Sequence, residues 1–116
     1  MIRCKRVYDE ATQDDGHRVF VDRLWPRGVK KTDLQFDEWA KMLAPSNELR
    51  KAFHGEAIDF NEFSRCYREE LNAQRDVAEK LAQRAKEQTV TLLYGSKNAE
   101  QNHAQVLAEY LRQLVD

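Results

Sequence analysis

Thr89-Val90-Thr91-Leu92-Leu93-Tyr94 runs directly into Gly95-Ser96-Lys97-Asn98. Its residues are all β-branched, aliphatic or aromatic, and a glycine closes the run, so it reads as a buried strand ending in a tight polar connection. Beyond it, Val106, Leu107, Tyr110, Leu111 and Leu114 recur at the spacing of a helix with one buried face. Toward the N-terminus, Asp76 with Glu79 has the pattern of a capping box and opens a helix carrying Val77, Leu81 and Ala85. Asp59 with Glu62 repeats the device before Phe60, Phe63, Tyr67 and Leu71. Ser46 reads as the N-cap of a short helix that holds Leu49 and Phe53 and stops at Gly55. The spacing of Trp39, Met42 and Leu43 predicts one more helix over residues 37–43, stopped by Pro45.

Two further strands are expected at residues 2–8 and 18–24. Between them, Asp14-Asp15-Gly16 is turn chemistry, serving either a hairpin or a link between separate strands. Val19-Phe20-Val21 is an unbroken apolar run, so its strand is expected to be central and covered on both faces. Helices lie between the second and third strands and after the third. That order predicts a small α/β layer fold in one domain over residues 1–116. Its sheet is mixed or parallel, has at least three strands, and carries helices packed against it.

Composition sets bounds. The chain has 116 residues, of which 41% are hydrophobic. A chain of this size buries roughly two-thirds of its surface on folding, enough for one modest core. Nineteen basic against 20 acidic residues give a net charge of -1. This balance excludes a disordered tail, a collagen-like repeat and a transmembrane protein, and it argues against a protein that coats nucleic acid. The basic start, Met1 to Arg6, is not followed by an apolar signal region, so a cytoplasmic location is expected. Cys4 and Cys66 lack CxxC spacing and read as buried or inert thiols. His17, His54 and His103 form no HxH or HExxH motif, and no GxGxxG, GxSxG or GxxxxGK[ST] element is present. Neither a metal nor a cofactor is expected.

Ligands of open parallel sheets sit beyond the carboxyl ends of the strands, and two segments place unusual residues there. In the first, Asp22 and Arg23 follow an apolar strand, where a charge requires a partner or an aqueous cleft. Arg23 and Arg27 are candidate forks for a carboxylate or phosphate, and Trp25 is a candidate stacking wall. The plain alternative is that Asp22 pairs with an arginine while Trp25 fills core. In the second segment, Tyr94 and Lys97 flank a strand-to-helix turn suited to an anion. Asn102 and His103 precede Val106 and Leu107 by four residues, on the buried azimuth but at the front of the helix. Their plain alternative is capping of neighbouring loops. Ser46, chiefly a cap, and Arg50 form a third element of the same candidate ligand site. Asp22 and His103 are the candidates for moving a proton. Asp14-Asp15 read as a solvated turn, and Arg65, Arg68, Glu69, Glu70 and Arg75 as an exposed helix face.

The runs RVFVDRLWPRG, APSNELRKAF and VTLLYGSKNAEQNHAQVLAEYL together resemble the YeaO-like family, a bacterial group of small proteins built on a domain of unknown function. The resemblance covers nearly the whole chain, and its most specific part is VDRLWPRG. It implies a stand-alone cytoplasmic α/β domain and brings no established activity or substrate. Ser96 stands where a small residue such as alanine is expected, which lowers the case for a serine nucleophile. The leading expectation is a site for an anionic small molecule, a phosphorylated metabolite or nucleotide, at the strand ends. The alternative is a non-catalytic interaction or regulatory module. Nucleic-acid binding through Arg27, Lys30 and Lys31 is the weakest reading, because the chain is near neutral.

Overall fold

The computed structural model describes residues 1–115. Four strands, β1 (Ile2–Arg6), β2 (His17–Phe20), β3 (Glu38–Trp39) and β4 (Val90–Tyr94), form one sheet in the order β1-β4-β2-β3. Every pairing is parallel. The apolar run that marked β4 has its cause in this order. The strand lies between β1 and β2, with Leu92 opposite both Cys4 and Val19, and all its residues are buried. Four helices follow: α1 (Asn47–His54), α2 (Phe60–Asn72), α3 (Arg75–Glu87) and α4 (His103–Val115). Among the described residues no helix is long and apolar enough to cross a membrane.

Side-chain alternation divides the sheet into two faces. Val19, Val21, Val90, Leu92 and Tyr94 meet Leu49, Phe63, Leu81 and Leu107, so all the helices share one core with one face. Phe20 and Leu93 point the other way, into a smaller cluster with Val7, Leu34, Trp25, Val29 and Trp39. The second face is thus closed by the connection between β2 and β3 rather than by a helix.

Several expectations hold. Ser46 caps α1 by accepting from the Leu49 N–H at 3.2 Å, and Asp59 caps α2 by accepting from Glu62 at 2.8 Å. Both cysteines are free. Burial pushes the Cys4 thiol up to about 11 against the opposing charge of Arg112, and burial also raises Cys66, so neither is a ready thiolate.

Other segments differ from the expectation. Residues 37–43 are not a helix. Ala40 N–H donates to the Phe20 carbonyl and Asp37 N–H to that of Arg18, so the segment pairs with the β2 edge before one turn of 3-10 helix at Lys41–Leu43. Pro45 leaves too few residues for a helix to compete with that pairing. α3 begins at Arg75 and lacks a side-chain cap, and Asp76 lies inside its first turn. Glu79 pairs with Arg75 at 2.8 Å instead of closing a capping box. Glu70 is not simply part of an exposed face, since its carboxylate accepts from the Ser46 backbone N–H at 2.8 Å.

The largest correction concerns Asp14-Asp15-Gly16. β1 and β2 are separated by β4, so of the two expected roles the segment serves as the link between separate strands, and what is corrected is Asp15, which is fully buried rather than solvated. Its carboxylate accepts from Lys5 Nζ at 3.1 Å, from the Thr12 N–H at 3.1 Å, and from Arg18. Its carbonyl takes the Thr91 hydroxyl at 2.7 Å. Burial pushes the Asp15 carboxyl up. Thr12, Lys5 and Arg18 outweigh burial and hold it at about 2, below its ordinary 3.8. Gly16 follows with φ 62°, and a Cβ there would lie 2.3 Å from the Thr89 carbonyl oxygen.

Gly16→Ala is therefore expected to destabilise the fold by about 3 kcal/mol or more, through backbone strain and overlap together, measured by urea unfolding. The Asp15 carboxyl is depressed in the folded state, so its contribution is complete above the unfolded value and lost as pH falls from about 4 toward 2. The size of that loss is roughly 2 kcal/mol. Asp15→Asn should flatten the stability profile in that window and cost about 3–5 kcal/mol at neutral pH, since it leaves Lys5 and Arg18 without their buried counter-charge. An unchanged acid slope in a folded Asp15→Asn protein would assign the acid sensitivity to other carboxylates.

Candidate functional site

The chain leaves β2 toward β3, and leaves β4 toward α4, which packs on β1 and β4. Departures in opposite directions from neighbouring parallel strands open a crevice beyond their carboxyl ends. A cavity of about 260 Å³ lies there. Asp22 and Arg23 enter it from the end of β2, Gly95 from the end of β4, Asn102 and His103 from the start of α4, and Arg50 from α1. Leu24, Phe53 and Phe63 supply apolar wall.

Asp22 ties the two strand ends together. Its Oδ2 accepts the Gly95 N–H at 2.9 Å, and a Cβ on residue 95 would stand 2.9 Å from that same oxygen, so glycine permits the approach. Asp22 does not pair with Arg23. Its Oδ1 lies 2.8 Å from His103 Nε2. That nitrogen is also 3.2 Å from the Val21 carbonyl oxygen, with which its N–H aligns, so the buried Oδ1 is left without an aligned donor. Nε2 faces two acceptors, which assigns it the ring proton. Nδ1 makes no hydrogen bond among the described residues and is not sealed from solvent. The edge of the ring rests on Tyr67. Tyr67 is fully buried, and burial first, then the charges of Glu70 and Asp22, push its pKa well up. Its hydroxyl stays neutral and donates to the Leu43 carbonyl.

The two guanidiniums of the cleft are held differently. Arg23 donates from Nε to the Pro45 carbonyl at 3.1 Å and reaches that of Ala44 at 3.5 Å. Arg50 has one long contact, 3.5 Å to Asn47 Oδ1, and its buried Nε has no partner. Neither arginine has a carboxylate within 4.0 Å among the described residues; half-buried Arg6 and Arg68 also lack one but donate to Ser96 and Gln113, whereas Lys5 and Arg18 are paired with Asp15.

Half of the residues singled out in the sequence meet here: Asp22, Arg23, Arg50, Asn102 and His103. Asn102 is largely engaged in its own loop, donating to the Asn98 carbonyl at 2.7 Å and accepting the Gln105 N–H at 3.1 Å. The others lie elsewhere. Trp25 is no ligand wall; it packs on the opposite face against Phe20, Phe36 and Trp39, with Nε1 donating to Val29 at 2.6 Å. Arg27 is exposed outside the cleft, and its carbonyl accepts from the Tyr8 hydroxyl. Lys97 is exposed and does not line the cavity, Tyr94 is buried in the helix-side core, and the Ser46 hydroxyl is used by its helix and by Glu70. Phe53 and His54 line the cleft without having been singled out for it. They stand three and four residues after Arg50, so helical spacing from that arginine was the available signal. Among the described residues no group of three or more His, Cys, Asp or Glu side chains is placed to hold a metal ion.

The chain is 58% identical over 113 residues to "Uncharacterized protein YeaO" of Escherichia coli K12, covering 97% of this chain and 98% of that one. It is 41% identical over 112 residues to uncharacterized proteins of Mycobacterium bovis and Mycobacterium tuberculosis H37Rv, covering 95% of this chain and 92% of each of them. No solved structure matches. A family model described as "Inactive DUF488-N3 subclade" matches residues 1–116, and the chain belongs to that YeaO-like family.

Proposed function

We propose that the cleft binds a small anionic molecule of the cytoplasm, a phosphorylated metabolite or mononucleotide, and that the protein acts through this binding. One observation carries the reading: Arg23 and Arg50 converge on a single half-buried cavity with no carboxylate paired to either. A guanidinium withdrawn from water needs compensation, and a planar fork matches phosphate or carboxylate. Each charge-assisted hydrogen bond so formed contributes about 1.5–3 kcal/mol. A cavity of about 260 Å³ suits one small ligand, with Leu24, Phe53 and Phe63 taking its apolar part. The word "inactive" in the family description supports binding without turnover.

A thermal-shift screen against inorganic phosphate, sugar phosphates, mononucleotides and carboxylic acids tests this. A ligand at about 100 times its Kd adds about 2.7 kcal/mol, a rise of roughly 10 °C at this chain length. The rise should vanish in Arg23→Ala and Arg50→Ala and persist in Lys97→Ala, whose side chain is outside the cleft. Stabilisation that survives the Arg23→Ala/Arg50→Ala double variant, or none by any anion, overturns the reading.

A further inference from the structure

We propose that the ligand of this cleft is a dianion and that its binding takes up a proton at His103; this rests on the anion-binding reading above. The argument is one of charge and geometry. Arg23 and Arg50 bring two positive charges to the cavity and Asp22 one negative, a net of +1 with His103 neutral. With His103 protonated the lining carries a net of +2, the charge that a dianion matches. His103 is built to supply the missing charge. Its Nε2 proton is already held between the Val21 carbonyl and Asp22 Oδ1, so a second proton goes to Nδ1, which has no partner among the described residues. The imidazolium is then stabilised on both sides, by the Asp22 carboxylate behind it and by the bound anion in front. Protonation also favours a small ring movement that aligns Nε2–H with the otherwise undonated Oδ1.

The charged and titratable groups that line the cavity or touch the ring are Asp22 and Arg23 after β2, Arg50 and His54 from α1, and Tyr67 from α2, while α3, β1 and β4 contribute none to the lining. Tyr67 stays neutral, so it does not compete. A bound dianion adds negative charge to the cavity that the ring lines. Linkage then requires the reciprocal effect, with affinity rising as pH falls through the histidine titration, by up to tenfold per pH unit for one proton taken up.

Sulfate is the probe, because it is a dianion that does not itself titrate near neutrality, and methanesulfonate is the matched monoanion. Histidine ring and backbone amide resonances of the intact protein are followed by NMR from acid to alkaline pH with each salt at equal ionic strength. The expected result is that sulfate perturbs the Gly95, Ser96 and Asn102 amides and moves the His103 titration to higher pH. Methanesulfonate should do so far less, and His17, remote from the cleft, should not respond. His103→Gln should hold the affinity for sulfate at its alkaline level at every pH, so that the amide response weakens on the acid side and its pH dependence is lost. If the cleft amides respond to sulfate while the His103 titration stays put, the proton coupling is wrong and the anion site stands. A response of equal size to the monoanion overturns the dianion assignment. If the cleft amides answer neither salt, the anion site and the inference fall together.

Discussion

The buried carboxylate of Asp15 is the point at which three strands are fastened. It draws Lys5 from β1 and Arg18 from β2, while its own carbonyl receives Thr91 from β4. Strands that neighbour one another in a parallel sheet are far apart in sequence, so their relative height is not set by a tight turn. A desolvated acid saturated with charged donors sets it instead, because a slip by one residue would leave a buried charge unpaired. Gly16 completes the fastening by letting the chain pass against Thr89 before β2 begins. With the amino ends locked, the carboxyl ends of β2 and β4 arrive at a common level, and that is where the cleft lies.

At the other end of β2, Asp22 is a second aspartate in a different state. It too joins elements, β2 to β4 through Gly95 and β2 to α4 through His103. Asp15 is met by donors on both carboxylate oxygens, whereas Asp22 keeps one buried oxygen without an aligned donor, and Arg50, which lines the same cavity, has an Nε equally unserved among the described residues. Buried polar atoms without partners are few in folded proteins, and each asks for a reason. Here both border one cavity. Saturation marks a structural carboxylate, and incompleteness marks a site where a proton or a ligand has a place to go.

Periodicity made β4, α1, α2 and α4 legible, because an amphipathic stripe or an apolar run records directly which face is buried. It misled at residues 37–43, where Trp39, Met42 and Leu43 have helical spacing but the backbone pairs with an edge strand. The partners of that pairing, Arg18 and Phe20, lie too far back in the chain for any local window to see. It was silent on Asp15 for the same reason: a turn aspartate looks solvated until the strand order brings Lys5 and Arg18 onto it. Of the candidates read from strand-end position, Asp22, Arg23 and His103 line the same cavity. Trp25, Arg27 and Lys97 were read from the same strand-end segments and lie outside the cavity, since position after a strand does not fix which face an aromatic ring or a cation joins.

The segment Asp22-Arg23-Leu24-Trp25-Pro26-Arg27-Gly28 looked like one motif and is two. Up to Leu24 it lines the cleft; from Trp25 it crosses to the opposite face and closes the smaller core with Phe20 and Trp39. The two halves remain mechanically joined. Trp39, packed against Trp25 on the far face, donates its indole N–H to the Asp22 backbone carbonyl at 2.7 Å. The aromatic cluster thereby holds the backbone from which the Asp22 carboxylate reaches Gly95 and His103. A rotamer-restricted group of large rings is a stiff support, and a charged side chain that must meet two partners within hydrogen-bonding tolerance needs one. Trp25 and Trp39 serve the cleft without lining it, by holding in place the residue on which its geometry depends.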